Sequence, residues 1–400
     1  MKLSICIPTN GVMEWICPVL ESIYTQAVSE SEYEVVIVDN GNNQEFQTYI
    51  LEYAKQHKNL RYERIKCPIF MNEIYAYKLA GGDFIKFVNH RAVLAQGTLR
   101  YWIEFMHKNF EKKPVVYFAN GVLDKPYREY YYDSFDRFVY DLGYWSSWST
   151  GMAVWKTDLD TIPETETFNE LFPHTNILLR RYKDKETYII DNRIYCSEVK
   201  HTSKKKGKYD LFYAFAVEYP YILLKLLVEQ NIKMETFLKL KTDVLDFVIG
   251  QYTLFCENKE ECSYDLSSYE DSIKVFYSQN EVEKRKLDVR TTYQNVLNKN
   301  VESFRNSADG VVIYGAAVLG RKEAEKKRNE LKNIICFIDN SPSKKEKLCM
   351  GIPVVDIETF KCMGIDTEVL VCVGDKYANE VADELEDLGI NYKIICDSKS

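Results

Sequence analysis

Gly81-Gly82-Asp83-Phe84-Ile85-Lys86-Phe87-Val88-Asn89-His90-Arg91 reads as a glycine turn, a short buried strand and three polar residues at the strand's carboxyl end. In open α/β sheets, ligands sit just outside the carboxyl ends of strands. A run of Asn-His-Arg is costly to bury unless it has partners or a task. Two readings stand: a site that faces an anionic ligand, or an ordinary polar loop after a strand.

Working upstream, Leu3-Ser4-Ile5-Cys6-Ile7-Pro8-Thr9-Asn10 is a strand stopped by its proline. Helical periodicity follows from Met13 to Gln26. Tyr33 to Asp39 is a second buried strand that ends in the turn cluster Asn40-Gly41-Asn42-Asn43, and Gln44 to His57 is again helical. Leu60 to Ile65 is a short strand, Asn72 to Leu79 a helix, and Phe84 to Val88 the next strand. Such alternation predicts βαβ units and an α/β fold with a mostly parallel, Rossmann-like sheet. Right-handed crossovers then bring Thr9, Asp39 and Asn89 to one edge.

Three segments, Ser4 to Asn10, Val36 to Gly41 and Ala80 to Phe87, resemble the opening of family 2 nucleotide-sugar glycosyltransferases. That family has the GT-A fold and is usually inverting. Three motifs in order over roughly the first 90 residues are more specific than any one alone. The resemblance implies that Pro8, Thr9, Asn10 and Asp39 hold the nucleotide, and that Asn72 and Asn89 lie near the ribose and diphosphate. The family carries Asp-x-Asp at the end of this strand, where two carboxylates bind a divalent cation that neutralises the diphosphate. Asn89-His90-Arg91 stands there instead. A guanidinium repels Mg²⁺ or Mn²⁺ but pairs with phosphate oxygens in bidentate fashion. Three readings follow. Arg91 does part of the metal's work and no metal is required; Asn89 and His90 ligate Mn²⁺ or Mg²⁺ after all; or the site is dead.

Downstream, Val115 to Gly121 is a strand, followed by Tyr127-Arg128-Glu129-Tyr130-Tyr131-Tyr132 and Tyr144-Trp145-Ser146-Ser147-Trp148-Ser149-Thr150-Gly151. Aromatic faces and hydroxyls suit a sugar ring, so Tyr131, Trp145 and Trp148 are acceptor-side candidates. With 30 tyrosines in the chain, plain packing is the competing reading. Thr150 to Lys156 resembles the family's strand beside the donor sugar. Where the family carries Glu-Asp, with the Asp as general base, this chain has His174-Thr175. Histidine, with an ordinary pKa near ~6.5, suits a base at neutral pH. Glu170 is the second candidate, and a helix cap is the other use for His174. The basic loop Tyr195 to Gly207 resembles the family's mobile loop over the diphosphate. It offers His201 and Lys204 to phosphate, or is a solvated charge run.

The chain has 400 residues, which predicts several domains: residues 1–207 as the GT-A domain, 208–307 as a helical region, and 308–400 as a small Rossmann-like domain. In the last of these, Gly315-x-Ala317-x-x-Gly320 follows one strand, and Asp339 ends the next. The alanine stands where a backbone must approach a pyrophosphate, which argues against NAD and for a structural or partner-binding role. The net charge of -8 argues against nucleic acid. Eleven scattered cysteines with no C-x-x-C pair argue against a disulfide framework or zinc and fit a reducing cytoplasm. No signal peptide is read at Met1. Leu211 to Leu227 reads as a buried or interfacial helix, since Glu218, Pro220 and Lys225 interrupt it.

The expectation is a cytoplasmic inverting glycosyltransferase, at the inner membrane face if it makes a peripheral membrane contact. It takes a nucleotide-diphosphate sugar, UDP-sugar favoured, and a glycan or lipid-linked glycan acceptor in bacterial surface polysaccharide or capsule synthesis. Self-association through the helices is left open. The competing classes are an inactive sugar-nucleotide binder or scaffold of such a system, and an NAD-dependent oxidoreductase using the last domain.

Overall fold

The computed structural model describes residues 1–180, 185–199 and 208–395 and falls into two compact units. The first comprises residues 1–123, 127–248 and 261–276, and the second residues 124–126, 249–260 and 277 onward. The stretch 208–307, expected as one helical region, is thus shared between the units.

The first unit opens with strands β1 (Leu3–Thr9), β2 (Tyr33–Asp39), β3 (Leu60–Arg64) and β4 (Phe84–Phe87). Helices α1 (Met13–Tyr24), α2 (Gln44–Gln56) and α3 (Asn72–Leu79) alternate with them. Then come β5 (Ala92–Leu94), α4 (Thr98–Asn109), β6 (Val115–Phe118), β7 (Glu129–Tyr132), β8 (Ala153–Trp155), β9 (Tyr188–Asp191) and β10 (Cys196–Glu198). The main sheet runs β3-β2-β1-β4-β8; the first four strands are parallel and β8 is antiparallel to β4. This is the expected α/β class. Every residue of β1 and β4 is buried, which a parallel sheet covered on both faces requires. Leu3, Ile5, Val35, Ile37 and Phe84 pack there with Ile16, Leu20, Phe46 and Trp102.

Chain order reverses at β1, which lies between β2 and β4, so a crevice opens at their carboxyl ends. The Gly81-Gly82 turn sets where β4 enters. Its amides donate to Glu34 Oε1, and Gly82 N donates to Ser4 Oγ at 2.9 Å. A Cβ on Gly82 would stand 2.6 Å from the Lys2 carbonyl, so only glycine lets the turn lie on the start of β1.

Two smaller layers flank that crevice: β5 with β10, and the sheet β6-β9-β7. The unit also holds the helical segments Phe135–Leu142, Pro173–Leu178, Leu211–Val228 (interrupted by a π turn at Ala214–Glu218) and Tyr269–Phe276, and most of Met234–Tyr252. Leu211–Val228 is long and apolar enough to cross a membrane, yet more than half of it is buried in the protein.

The main part of the second unit opens with the long helix Gln279–Ser307, started by a capping box of Ser278 and Glu281. Strands β11 (Val311–Tyr314), β12 (Ile334–Ile338), β13 (Leu348–Cys349), β14 (Ile352–Val355), β15 (Val369–Val371) and β16 (Tyr392–Ile394) form a sheet of order β13-β14-β12-β11-β15-β16. All its pairs are parallel except β13 with β14. Val312, Ile335, Ile338, Val355 and Val371 are buried against Tyr293 and Leu297 of the long helix.

Candidate active site

The strand ends place the predicted nucleotide residues together. Thr9 and Asp39 are Cα partners across the last rung of β1 and β2. Asp39 is fully buried; Oδ1 accepts from Gly41 N at 2.7 Å and Oδ2 from the Tyr62 hydroxyl at 3.0 Å. Asn72, at the start of α3, donates to the Thr9 carbonyl at 3.1 Å and the Val38 carbonyl at 3.3 Å. Its amide thereby ties α3 to both strand ends. Asn10 is exposed beyond Pro8, and a Cβ on Gly41 would stand 2.1 Å from the Asn10 carbonyl. The glycine after Asp39-Asn40 is therefore a packing requirement of this edge.

At the end of β4, Asn89 Oδ1 accepts from Arg91 N at 3.0 Å, closing a local turn. His90 Nδ1 lies 3.0 Å from Thr9 Oγ1, and its ring meets Trp15 edge-on at 4.9 Å. Burial, helped by the Arg91 charge, pushes the His90 imidazole down to about 3, so it is neutral near pH 7. The Arg91 guanidinium lies over Trp15, 5.1 Å from the ring centroid, and its Nε is 3.5 Å from Glu198 Oε1. That Nε is buried and has no hydrogen-bond partner among the described residues. The Arg91 charge also bears on Tyr209 and Tyr264, opposing the rise that burial gives both hydroxyls. A backbone bridge between Asp210 and Asp265 sets these two tyrosines side by side.

This donor set does not fit a divalent cation. Asn89 spends its oxygen on the turn, His90 spends a nitrogen on Thr9, a guanidinium follows, and no carboxylate stands in the triplet. Among the described residues no group of three or more His, Cys, Asp or Glu could hold a metal ion.

Lys86, three residues earlier on β4, is almost fully buried. Its ammonium meets the carbonyls of Phe87 at 2.7 Å, Thr150 at 2.5 Å and Met152 at 3.3 Å, and faces Trp102 at 5.0 Å. Burial pushes it down to about 7.

His174 and Glu170 fall differently. Glu170 is exposed, on the loop before the helix Pro173–Leu178. His174 is buried in that helix; Nδ1 is 3.0 Å from Glu73 Oε2 and Nε2 is 2.9 Å from the Ser147 carbonyl. A carbonyl only accepts, so Nε2 carries a proton, and the other nitrogen is matched to a carboxylate. Neither nitrogen is open to an acceptor hydroxyl in this arrangement. Thr175, the other residue at the family's Glu-Asp place, is buried and donates to the Ser146 carbonyl at 2.9 Å.

Of the aromatic candidates, Trp145 and Trp148 are half-buried and meet edge-on at 6.3 Å. Tyr131 lies on β7, exposed, with its hydroxyl 2.5 Å from Glu129 Oε2. His201 and Lys204 lie outside the described residues. Sequence reasoning missed Trp15, Glu73, Glu198, Tyr209 and Tyr264. Trp15 had a local signal, since it stands in the first turn of the helix after β1; the others reach the site only through long-range packing.

Residues 4–139 match the family model described as glycosyl transferase family 2. No curated protein matches the chain. Among solved structures, S. aureus TarS 1–349 in complex with UDP-GlcNAc aligns at 18% identity over 69% of this chain and 80% of its own, with a TM-score of 0.45. The mannosyltransferase PcManGT from Pyrobaculum calidifontis, in complex with GDP-Man and Mn²⁺, aligns at 12% identity over 72% of this chain and 86% of its own, with a TM-score of 0.40. The stretch 4–139 thus matches the glycosyl transferase family 2 model and lies in an α/β unit whose strand order gathers the predicted edge residues.

Proposed function

We propose that the first unit moves a sugar from a nucleotide-diphosphate donor to a glycan acceptor with inversion, and that Arg91 supplies charge which relatives take from a metal. The supporting observation is the Arg91 guanidinium, four-fifths buried at the end of β4, with an Nε that no described residue satisfies. A partly desolvated cation with a spare N–H favours an anionic oxygen. Thr9 and Asp39, with the Pro8 and Asn10 backbone, hold the nucleotide, while Asn72 and Asn89 shape the ribose and diphosphate side. His201 and Lys204 add phosphate contacts. The acceptor hydroxyl attacks the anomeric carbon opposite the diphosphate. The anomeric C–O bond breaks, the diphosphate leaves with its charge facing Arg91, and the exposed Glu170 takes the hydroxyl proton. A UDP-sugar is the first donor to test. The setting we infer is surface polysaccharide or capsule assembly in the bacterial cytoplasm, with a lipid-linked glycan at the membrane face as acceptor.

Turnover of a panel of UDP- and GDP-sugars, with EDTA and with Mn²⁺, tests this. Turnover that survives chelation and falls in Arg91→Met agrees with the proposal. Turnover that needs Mn²⁺ overturns the role of Arg91.

The buried His174 and Thr175 favour a second reading, a sugar-nucleotide binder or scaffold without transfer, because the family's usual base position offers no carboxylate. UDP raising the melting temperature with no turnover of any donor would select it.

A further inference from the structure

We propose that residues 145–152 form a pre-positioned acceptor platform whose backbone is clamped by buried side chains, and that His174 is a positioning residue of this clamp rather than the base. The inference deepens the transferase reading and rests on it for the word acceptor.

Six carbonyls in this eight-residue segment are held by buried side chains. The Tyr117 hydroxyl lies 2.6 Å from the Trp145 carbonyl and 2.7 Å from that of Trp148. Thr175 Oγ1 holds the Ser146 carbonyl and His174 Nε2 that of Ser147. Lys86 Nζ holds the carbonyls of Thr150 and Met152. The segment forms two short 3-10 turns, and the Trp145 and Met152 carbonyls also accept from Trp148 N and Phe87 N; carbonyls without such backbone partners ordinarily face water. Here they turn inward onto four side chains from β4, β6 and the helix Pro173–Leu178, while Trp145 and Trp148 stay half-exposed. Orienting a contact surface through a second layer of locked donors lowers the ordering cost of binding and fixes geometry.

The clamp is also tied to the nucleotide edge. His174 Nδ1 reaches Glu73 Oε2 at 3.0 Å, and both residues are about 95% buried. Glu73 follows Asn72, whose amide holds the ends of β1 and β2. The path from the Thr9 carbonyl through Asn72, Glu73 and His174 to Ser147 therefore fixes the platform relative to the strand ends. The groups facing His174 are Glu73, the Ser147 carbonyl and the Phe172 ring edge.

Two measurements on the full chain test it. The first is ¹⁵N-histidine NMR from pH 5.5 to 8.5, with the His174 ring assigned by its loss in His174→Gln or its shift in Glu73→Gln. The clamp requires a protected Nε2–H held to the Ser147 carbonyl across that range; an Nε2 that carries no protected proton overturns it. The second compares His174→Ala, His174→Gln and Thr175→Val in turnover of a UDP-sugar and in UDP binding. A displaced platform costs about 10- to 100-fold in kcat with UDP affinity within about threefold, and glutamine, which still donates to Ser147, recovers most of the loss. A base cannot be rescued so, and His174→Gln as inactive as His174→Ala overturns the clamp. If the wild type turns over no donor, the transferase reading fails and the NMR result alone decides the clamp.

Discussion

Two mostly parallel sheets in this chain end an inner strand in the same way, Val38-Asp39-Asn40 at the end of β2 and Ile338-Asp339-Asn340 at the end of β12. Both aspartates accept from the amide two residues on, Gly41 N at 2.7 Å and Ser341 N at 3.0 Å. The neighbourhoods then diverge. Asp339 also takes Ala316 N at 2.9 Å and Lys344 Nζ at 2.7 Å, so the glycine loop after β11 and the nearest cation are bound to it. Asp39 takes a neutral partner, Tyr62; Arg64, its Cα partner on β3, donates instead to the Gly41 carbonyl and Asn42 Oδ1, and Arg91 at the end of β4 stands 3.5 Å from Glu198 with an Nε that lacks a hydrogen-bond partner among the described residues. The same dipeptide at a strand end thus takes a cation onto its aspartate at one edge and not at the other.

The largest expected effect that could break this contrast is on turnover. Arg91→Met should lower kcat/KM for a UDP-sugar at least about 100-fold, roughly 2.7 kcal/mol, as loss of a transition-state charge partner does. Lys344→Met should leave it within about twofold. Equal losses in steady-state kinetics would erase the distinction. On stability, Asp339→Asn should cost about 1–3 kcal/mol in thermal denaturation, because Ala316 N and Lys344 lose an ionised acceptor. The variant should leave UDP binding unchanged.

Acid sharpens the contrast further. His90 is held neutral in the fold down to about 3, while the unfolded chain takes up its proton near ~6.5. Between those values the unfolded state binds more protons, so stability from this residue falls as pH drops through the window. All five histidines lie before residue 202, so the second unit carries none and this loss belongs to the first. Melting curves from pH 7 to 5 on wild type and His90→Gln check it; a variant with the same acid loss would count against the buried neutral ring. Smallest of all, Asn43→Ala should cost about 1 kcal/mol in chemical denaturation, the usual worth of an N-cap. Asn43 Oδ1 accepts from Glu45 N and Phe46 N, while its amide donates to the Gly11 carbonyl at the nucleotide edge.

Much of the fold was legible because burial on both faces leaves its mark on consecutive residues. The runs at β1, β2, β4, β11 and β12 are mostly apolar strands, ended by polar residues at all but β11, and the helices between them keep a helical period. The division of residues 208–307 between two units left no such mark, since periodicity reports that a helix has a buried face but not which core receives it. The places of Thr9, Asp39, Asn72 and Arg91 could be read because each sits at or just past a strand or helix end fixed by local pattern. His174 could not: its place in the motif suggested a base, and only Glu73, 101 residues away, shows where its nitrogens are spent.

By itself the sequence determined the α/β class, the edge at which the strand ends gather, and the presence of a fixed cation, Arg91, at the end of β4. These follow from short-range alternation and from side-chain chemistry, which need no knowledge of distant partners. Tertiary structure alone decided which polar groups are already satisfied. Hydrogen bonds between residues far apart consume His174, Asp339 and Lys86 and leave Arg91 a spare donor, and that accounting depends on three-dimensional proximity.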